Sequence, residues 1–271
     1  RLGGMVVKRP IGMLDSGVGG LTVVRELMRQ LPKEKIIYIG DTLRCPYGPR
    51  PFEEVRKFTW ELVRFLLTYN IKMLVIACNT ATAVVLDELQ RSLDIPVVGV
   101  IAPGTRAALK VTRSKRIGVI GTKGTIHSDA YQKSLKMIDN YVYVKSVACP
   151  DFVPIVERGD FHKKQTFEIV KKNLLPFQFE EIDTLILGCT HYPLLQKQIQ
   201  KAMGRRVTLI NSGEETGREL STILQYSNLL NIYTLEGKHK FFTTGDAAMF
   251  ERIASQWLDE KNYVTQQIRL E

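Results

Sequence analysis

Cysteine is scarce in this chain. Its 271 residues hold four, Cys45, Cys78, Cys149 and Cys189. That is too few for a disulfide scaffold, so reduced thiols are expected, either catalytic or simply buried. No CxxC pair occurs, and no Cys/His cluster has zinc-finger spacing. Cys189 and His191 could share a metal, but the pattern supplies no further ligands, so none is expected. Long apolar runs are missing as well. None reaches the ~18 residues of a membrane span, and the N-terminus has no signal-peptide apolar region. A cytoplasmic protein with no membrane partner is the expectation. Arg1 to Gly4 precede Met5 and are read as either native or added residues.

Cofactor and nucleic-acid signatures are absent too. The turn Asp15-Ser16-Gly17-Val18-Gly19-Gly20-Leu21 resembles a dinucleotide fingerprint only loosely. GxGxxG would place glycine where Thr22 stands, so no cofactor is expected. The plainer reading is a tight strand-to-helix turn whose N–H groups can hold an anion. The formal net charge is +10, which could favour an anionic substrate or a nucleic acid. The lysines and arginines are scattered, however, and carry no binding motif. A solvated basic surface is expected, with no nucleic-acid partner.

What is present is one pattern used twice. Leu185-Ile186-Leu187-Gly188-Cys189-Thr190-His191-Tyr192-Pro193 is an apolar run ending in a cysteine, polar residues and a helix-opening proline. That outlines a buried parallel strand delivering a thiol to the mouth of a sheet. Leu74-Val75-Ile76-Ala77-Cys78-Asn79-Thr80-Ala81-Thr82 repeats it, the two cysteines lying 111 residues apart. A second echo joins Gly17-Val18-Gly19-Gly20 to Gly121-Thr122-Lys123-Gly124-Thr125, about 105 residues later.

Strands are predicted at 10–14, 36–39, 73–77, 96–101, 116–120, 142–148, 184–188, 207–210 and 240–243. Helices are predicted at 22–31, 52–69, 81–93, from Pro103, and at 161–174, 194–203, 213–225 and 247–258. The segment 42–51, with three prolines, reads as a stiff loop. Alternating strands and helices imply an α/β protein with mostly parallel sheets. The echoes divide it into two pseudo-symmetric doubly wound halves. Residues 5–98 with 209–271 form the first, carrying Cys78, and residues 99–208 form the second, carrying Cys189.

Ligands of open parallel sheets bind beyond the carboxyl ends of the strands. Two thiols facing one substrate carbon can remove a proton from one side and return one to the other, which is racemisation or epimerisation. The thiolate is the useful base, and a helix N-terminus lowers a thiol pKa from ~8.5. Both cysteines are predicted to benefit. His191 can tune or protonate Cys189, with Glu157 beside it, while Asp15 plays the matching part beside Cys78. A nascent carbanion needs hydrogen-bond donors for its carboxylate, and Ser16, Thr80, Thr122 and Thr190 are suitable. Against these stand plainer roles. Asp41 can be a cap and Glu157 a solvated helix charge. Cys45 and Cys149 are expected to be structural, and His127, His162 and His239 ordinary.

Together, Asp15 to Leu21, Pro46-Tyr47-Gly48, Ala77 to Ala81, Val119-Ile120-Gly121-Thr122 and Gly188 to Pro193 resemble the glutamate racemases of the aspartate/glutamate racemase superfamily. The resemblance spans essentially the whole chain. It implies a cofactor-independent interconversion of L- and D-glutamate that supplies D-glutamate for peptidoglycan. It implies Cys78 and Cys189 as the two proton donor/acceptors. Asp15, Ser16, Tyr47, Gly48, Asn79, Thr80, Thr190 and His191 would contact substrate, and Asp41, Glu157 and His191 would assist the thiols. The active site would lie between the two α/β domains, often in a homodimer. The alternatives are a racemase for aspartate or another acid, a thiol hydrolase using Cys189 with His191, and a non-catalytic binder.

Overall fold

The computed structural model describes residues 6–270; Arg1 to Gly4, and Met5 with which the first half was expected to begin, lie outside the described residues. Ten strands form two sheets. The first runs in the order β10-β9-β2-β1-β3-β4 and the second β6-β5-β7-β8, with every pairing parallel. In the first sheet, β1 is Ile11–Asp15, β2 Ile36–Gly40, β3 Met73–Ile76, β4 Val97–Gly99, β9 His239–Thr243 and β10 Tyr263–Gln267. In the second, β5 is Arg116–Gly121, β6 Tyr143–Ala148, β7 Thr184–Gly188 and β8 Thr208–Asn211. We refer to each sheet and its helices as a lobe.

The central strands β1, β2, β3 and β7 are buried at every residue, as strands covered by helices on both faces must be. The helix Phe52–Leu67 buries Val55, Leu62 and Leu66 on its apolar stripe. The tail returns to the first lobe, where β9 pairs with β2 and β10 with β9. β8 runs through Asn211 and pairs with β7. The second sheet therefore passes residue 208, where the second half was expected to end, and the chain leaves it only at the helix Ser212–Tyr226.

Several elements escape the sequence pattern, the short helix Lys123–His127 among them. The helix Phe152–Glu157 is short, and Pro154 falls inside it. The helix Ala130–Ile138 buries only Tyr131 and Leu135 and leaves Met137 and Ile138 exposed, so few buried residues mark it. β10 is an edge strand with only Tyr263 buried. Conversely, the helix expected from Pro103 begins at Ile101, and β4 is shortened accordingly.

At the N-terminal ends of the first-lobe strands, the fully buried Lys72 pairs with Glu34 at 2.5 Å. Lys72 Nζ also donates to the carbonyls of Val7 and Leu229, and Glu34 accepts from Asn231 N–H at 2.8 Å. This buried charge pair ties the start of the chain to its tail, at the end of the sheet away from the cysteines.

Candidate active site

Both expected thiols reach one cavity. β3 ends beside Cys78 and β7 beside Cys189, and the two face the same enclosed space. The first lobe also contributes Ser16, Tyr47, Gly48, Asn79 and Thr80; the second contributes Thr122, Thr190 and His191. Pro46 and Val153 complete the wall. Neither had been expected as a site residue, since an apolar wall residue has no chemical signature. The cavity holds about 20 Å³, room for roughly one water.

Asp15, Asp41 and Glu157 stand behind this wall. Asp15 Oδ2 accepts from the N–H groups of Gly17 and Gly20 at 3.0 and 2.9 Å, so the glycine turn wraps a buried carboxylate of its own. Oδ1 of the same residue has no partner. Burial pushes the Asp15 carboxyl up, against the charge of His191 and the turn N–H groups. Asp41 accepts from Arg44 Nε at 2.7 Å, from the Tyr47 hydroxyl at 2.5 Å and from the Thr244 hydroxyl at 2.8 Å. It fixes the proline-rich loop, and it takes the Tyr47 hydroxyl proton.

Cys78 caps the helix Asn79–Ser92, its Sγ accepting from Ala81 N–H at 3.4 Å. The helix start was expected to lower this thiol. Instead Cys78 is pushed up to about 12, because burial and the nearby Asp15 charge outweigh the Ala81 N–H and Ser16. Cys78 is therefore held as the protonated thiol.

Cys189 is served differently. Its Sγ lies 3.8 Å from His191 Nδ1, and His191 Nε2 lies 3.1 Å from Glu157 Oε1. Burial opposes a charged imidazole, yet hydrogen bonds to Cys189 and Glu157 prevail and raise His191 to about 10. Glu157 is held low despite partial burial, chiefly through His191, so it is no idle helix charge. Cys45, expected to be structural, also donates to Glu157 Oε1, at 3.4 Å; nothing local in the sequence joins positions 112 apart. Cys149 is buried and outside the wall, as expected.

A pKa raised from 6.5 to about 10 makes His191 stabilise the fold fully below 6.5, with the contribution lost as pH rises through about 10. Glu157→Gln removes part of it. The imidazole should then titrate lower by NMR. The stability gap between wild type and variant should be widest near pH 6 and close towards pH 10.

The lobes are stitched around the cavity. The Thr22 hydroxyl donates to Thr190 O at 2.9 Å, Gly124 N–H donates to Gly48 O at 2.8 Å, and the Thr80 and Thr122 hydroxyls meet at 2.9 Å. Gly19 lets the lobes approach, because a Cβ there would overlap Thr190 Oγ1 and His191 Nδ1. Gly19→Ala must displace the Cys189 loop, and a shift on the order of 1 Å costs about 10²-fold in kcat/KM. Steady-state kinetics on the folded variant would show this, and a wild-type value would exclude the contact.

Among the described residues, no three His, Cys, Asp or Glu side chains converge as a metal-binding set, and no helix is long and apolar enough to cross a membrane. A sequence model described as Asp/Glu/hydantoin racemase matches residues 11–218. The chain belongs to that racemase family. The enzyme is thus an isomerase, and its relatives are glutamate racemases. One from Bacillus cereus is 58% identical over 256 residues, covering 94% of this chain and 95% of the relative. The crystal structure of a Bacillus anthracis glutamate racemase isoform superposes with a TM-score of 0.93 at 54% identity, covering 96% of this chain and 97% of that one. A Francisella tularensis glutamate racemase in complex with D-glutamate gives a TM-score of 0.91 at 34% identity, covering 98% and 99%. The racemase shares their two-domain α/β architecture.

Proposed function

We propose that this racemase interconverts L- and D-glutamate by proton transfer between Cys78 and Cys189. The observation that carries the proposal is the placement of one thiol from each lobe on a single closed cavity lined with hydrogen-bond donors. One cysteine, as thiolate, takes the α-proton and forms an S–H bond. The other gives its proton to the opposite face of the same carbon. The product is the enantiomer, with thiol and thiolate exchanged between the two positions. Such a cycle starts from unequal protonation, and burial with the Asp15 charge keeps Cys78 protonated.

The substrate α-carboxylate gathers charge as the carbanion forms. The first-turn N–H groups of Asn79 and Thr80, which an α-helix leaves free, and the Ser16, Thr80, Thr122 and Thr190 hydroxyls stabilise it. His191, held charged by Glu157, donates beside Cys189. Asp15 adds to the burial that keeps Cys78 protonated. Asp41 anchors the loop that brings Tyr47 and Gly48 to the wall. Glutamate as the substrate is supported by the relatives' names and by the D-glutamate complex of the Francisella enzyme. We extend the proposal to a cytoplasmic homodimer, working without a cofactor, whose D-glutamate enters peptidoglycan.

The test is incubation with L-glutamate in deuterated water without added cofactor, followed by circular dichroism and α-proton NMR together. The optical signal should vanish as deuterium enters the α-position. No change with glutamate but exchange with aspartate would move the assignment to aspartate. No exchange with any amino acid would return the site to the hydrolase or binding readings.

A further inference from the structure

Asn79 lines the cavity, but its amide can face a ligand in two ways. Turned one way it offers an acceptor, turned the other way a pair of donors. A substrate carboxylate requires the donors. The carbonyl Oδ1 is already used, because Tyr131 Oη lies 2.6 Å from it. Oδ1 can only accept, so the phenol is the donor. Among the described residues the amide nitrogen Nδ2 has no hydrogen-bond partner, and it is not among the enclosed polar atoms left without one, so it opens onto the cavity that Asn79 lines.

The phenol is itself constrained. Its one proton goes to Asn79, so the contact with Ser212 Oγ at 3.1 Å has Ser212 donating to the phenol oxygen. Tyr131 is 2% exposed, and burial pushes its ionisation up, so the donor proton stays in place. Tyr131 belongs to the second-lobe helix Ala130–Ile138 and Asn79 to the first lobe. The amide is therefore aimed across the lobe boundary. Gly104 makes room for the arrangement, since a Cβ there would overlap Ser212 Oγ.

We propose that Tyr131 is a positioning residue: by donating to Asn79 Oδ1 it turns the Asn79 amide N–H groups toward the substrate carboxylate. This rests on the glutamate reading above. Without the phenol the amide is free to flip, and a flipped amide presents oxygen to a carboxylate and rejects it.

The test compares wild type, Y131F, N79A and Y131F/N79A with both glutamate enantiomers. Y131F should raise KM about tenfold in both directions, equivalent to about 1.4 kcal/mol of binding, while kcat changes less than about threefold. In the N79A background the same change should alter KM less than about twofold, because the effect passes through the amide. A merely structural role would lower the active fraction, and with it apparent kcat, and leave KM unchanged. An unchanged KM in Y131F, or an equal KM rise in both backgrounds, overturns the inference while the racemase reading stands. A wild type inert toward glutamate overturns that reading and the inference with it. If Y131F does not fold, a neutron structure of the wild type with D-glutamate decides. It should show the Asn79 amide deuterons facing the carboxylate and the phenol deuteron on Oδ1; Oδ1 facing the carboxylate overturns the inference.

Discussion

Cys78→Ser and Cys189→Ser should each lower glutamate racemisation by about 10³-fold or more, with substrate binding largely kept. A positioned acid or base contributes roughly 10²–10⁴-fold, and each thiol here must serve as both in alternate turnovers. A serine hydroxyl fits either position but is a far weaker acid than a thiol, so it neither holds the negative charge nor releases a proton readily. The environments predict different residual behaviour. Cys78→Ser leaves the Cys189–His191–Glu157 chain intact, so one enantiomer can still lose its α-proton to Cys189 and regain a deuteron from the same face. Exchange without inversion, seen as deuterium uptake at constant circular dichroism, should survive for that enantiomer only. Near-normal inversion in either variant would end the two-thiol mechanism and favour a single base.

Lys72→Met should destabilise the fold by about 3–5 kcal/mol, the cost of leaving a buried charge without its partner. Both side chains are almost wholly enclosed, at 0% and 2% exposure, so Glu34 cannot recover water when the ammonium is removed. The carbonyls of Val7 and Leu229 lose a shared donor as well. Denaturant unfolding should show the loss. The double change Lys72→Met with Glu34→Leu should restore much of it, since an apolar pair of similar volume often matches a buried ion pair. Because this pair lies at the opposite end of the first sheet from the thiols, kcat and KM of the folded single variant should stay near wild type. A small stability change would mean that water reaches Glu34 in solution.

The strand-end thiols were legible because their chemistry is written locally, as an apolar run, a small residue, a cysteine and polar residues at a helix start. The parallel α/β plan followed from the same alternation. What escaped was decided by tertiary neighbours. Cys78 heads a helix, which alone argues for a low pKa, yet burial and then the Asp15 carboxylate reverse the sign. Cys45 and Glu157 meet only once the proline-rich loop and the helix Phe152–Glu157 are packed together. Tyr131 sits on a helix with only two buried side chains, and its bond to Asn79 spans 52 positions. Asp41 was left between cap and function. The structure gives it three partners that hold a loop, a task that no single-residue motif announces.

A chamber with room for about one water does not admit an amino acid. Every molecule of substrate must enter, and every product leave, through a separation of the two lobes, and each separation breaks the contacts from Thr22 to Thr190, from Gly124 to Gly48 and from Tyr131 to Asn79. Proton chemistry and traffic thus belong to different shapes of one molecule. In the parted shape the thiols meet solvent and can reset their protons. Turnover then has two clocks, and the slower of them, which for gated enzymes is often the mechanical one, sets the rate a cell observes.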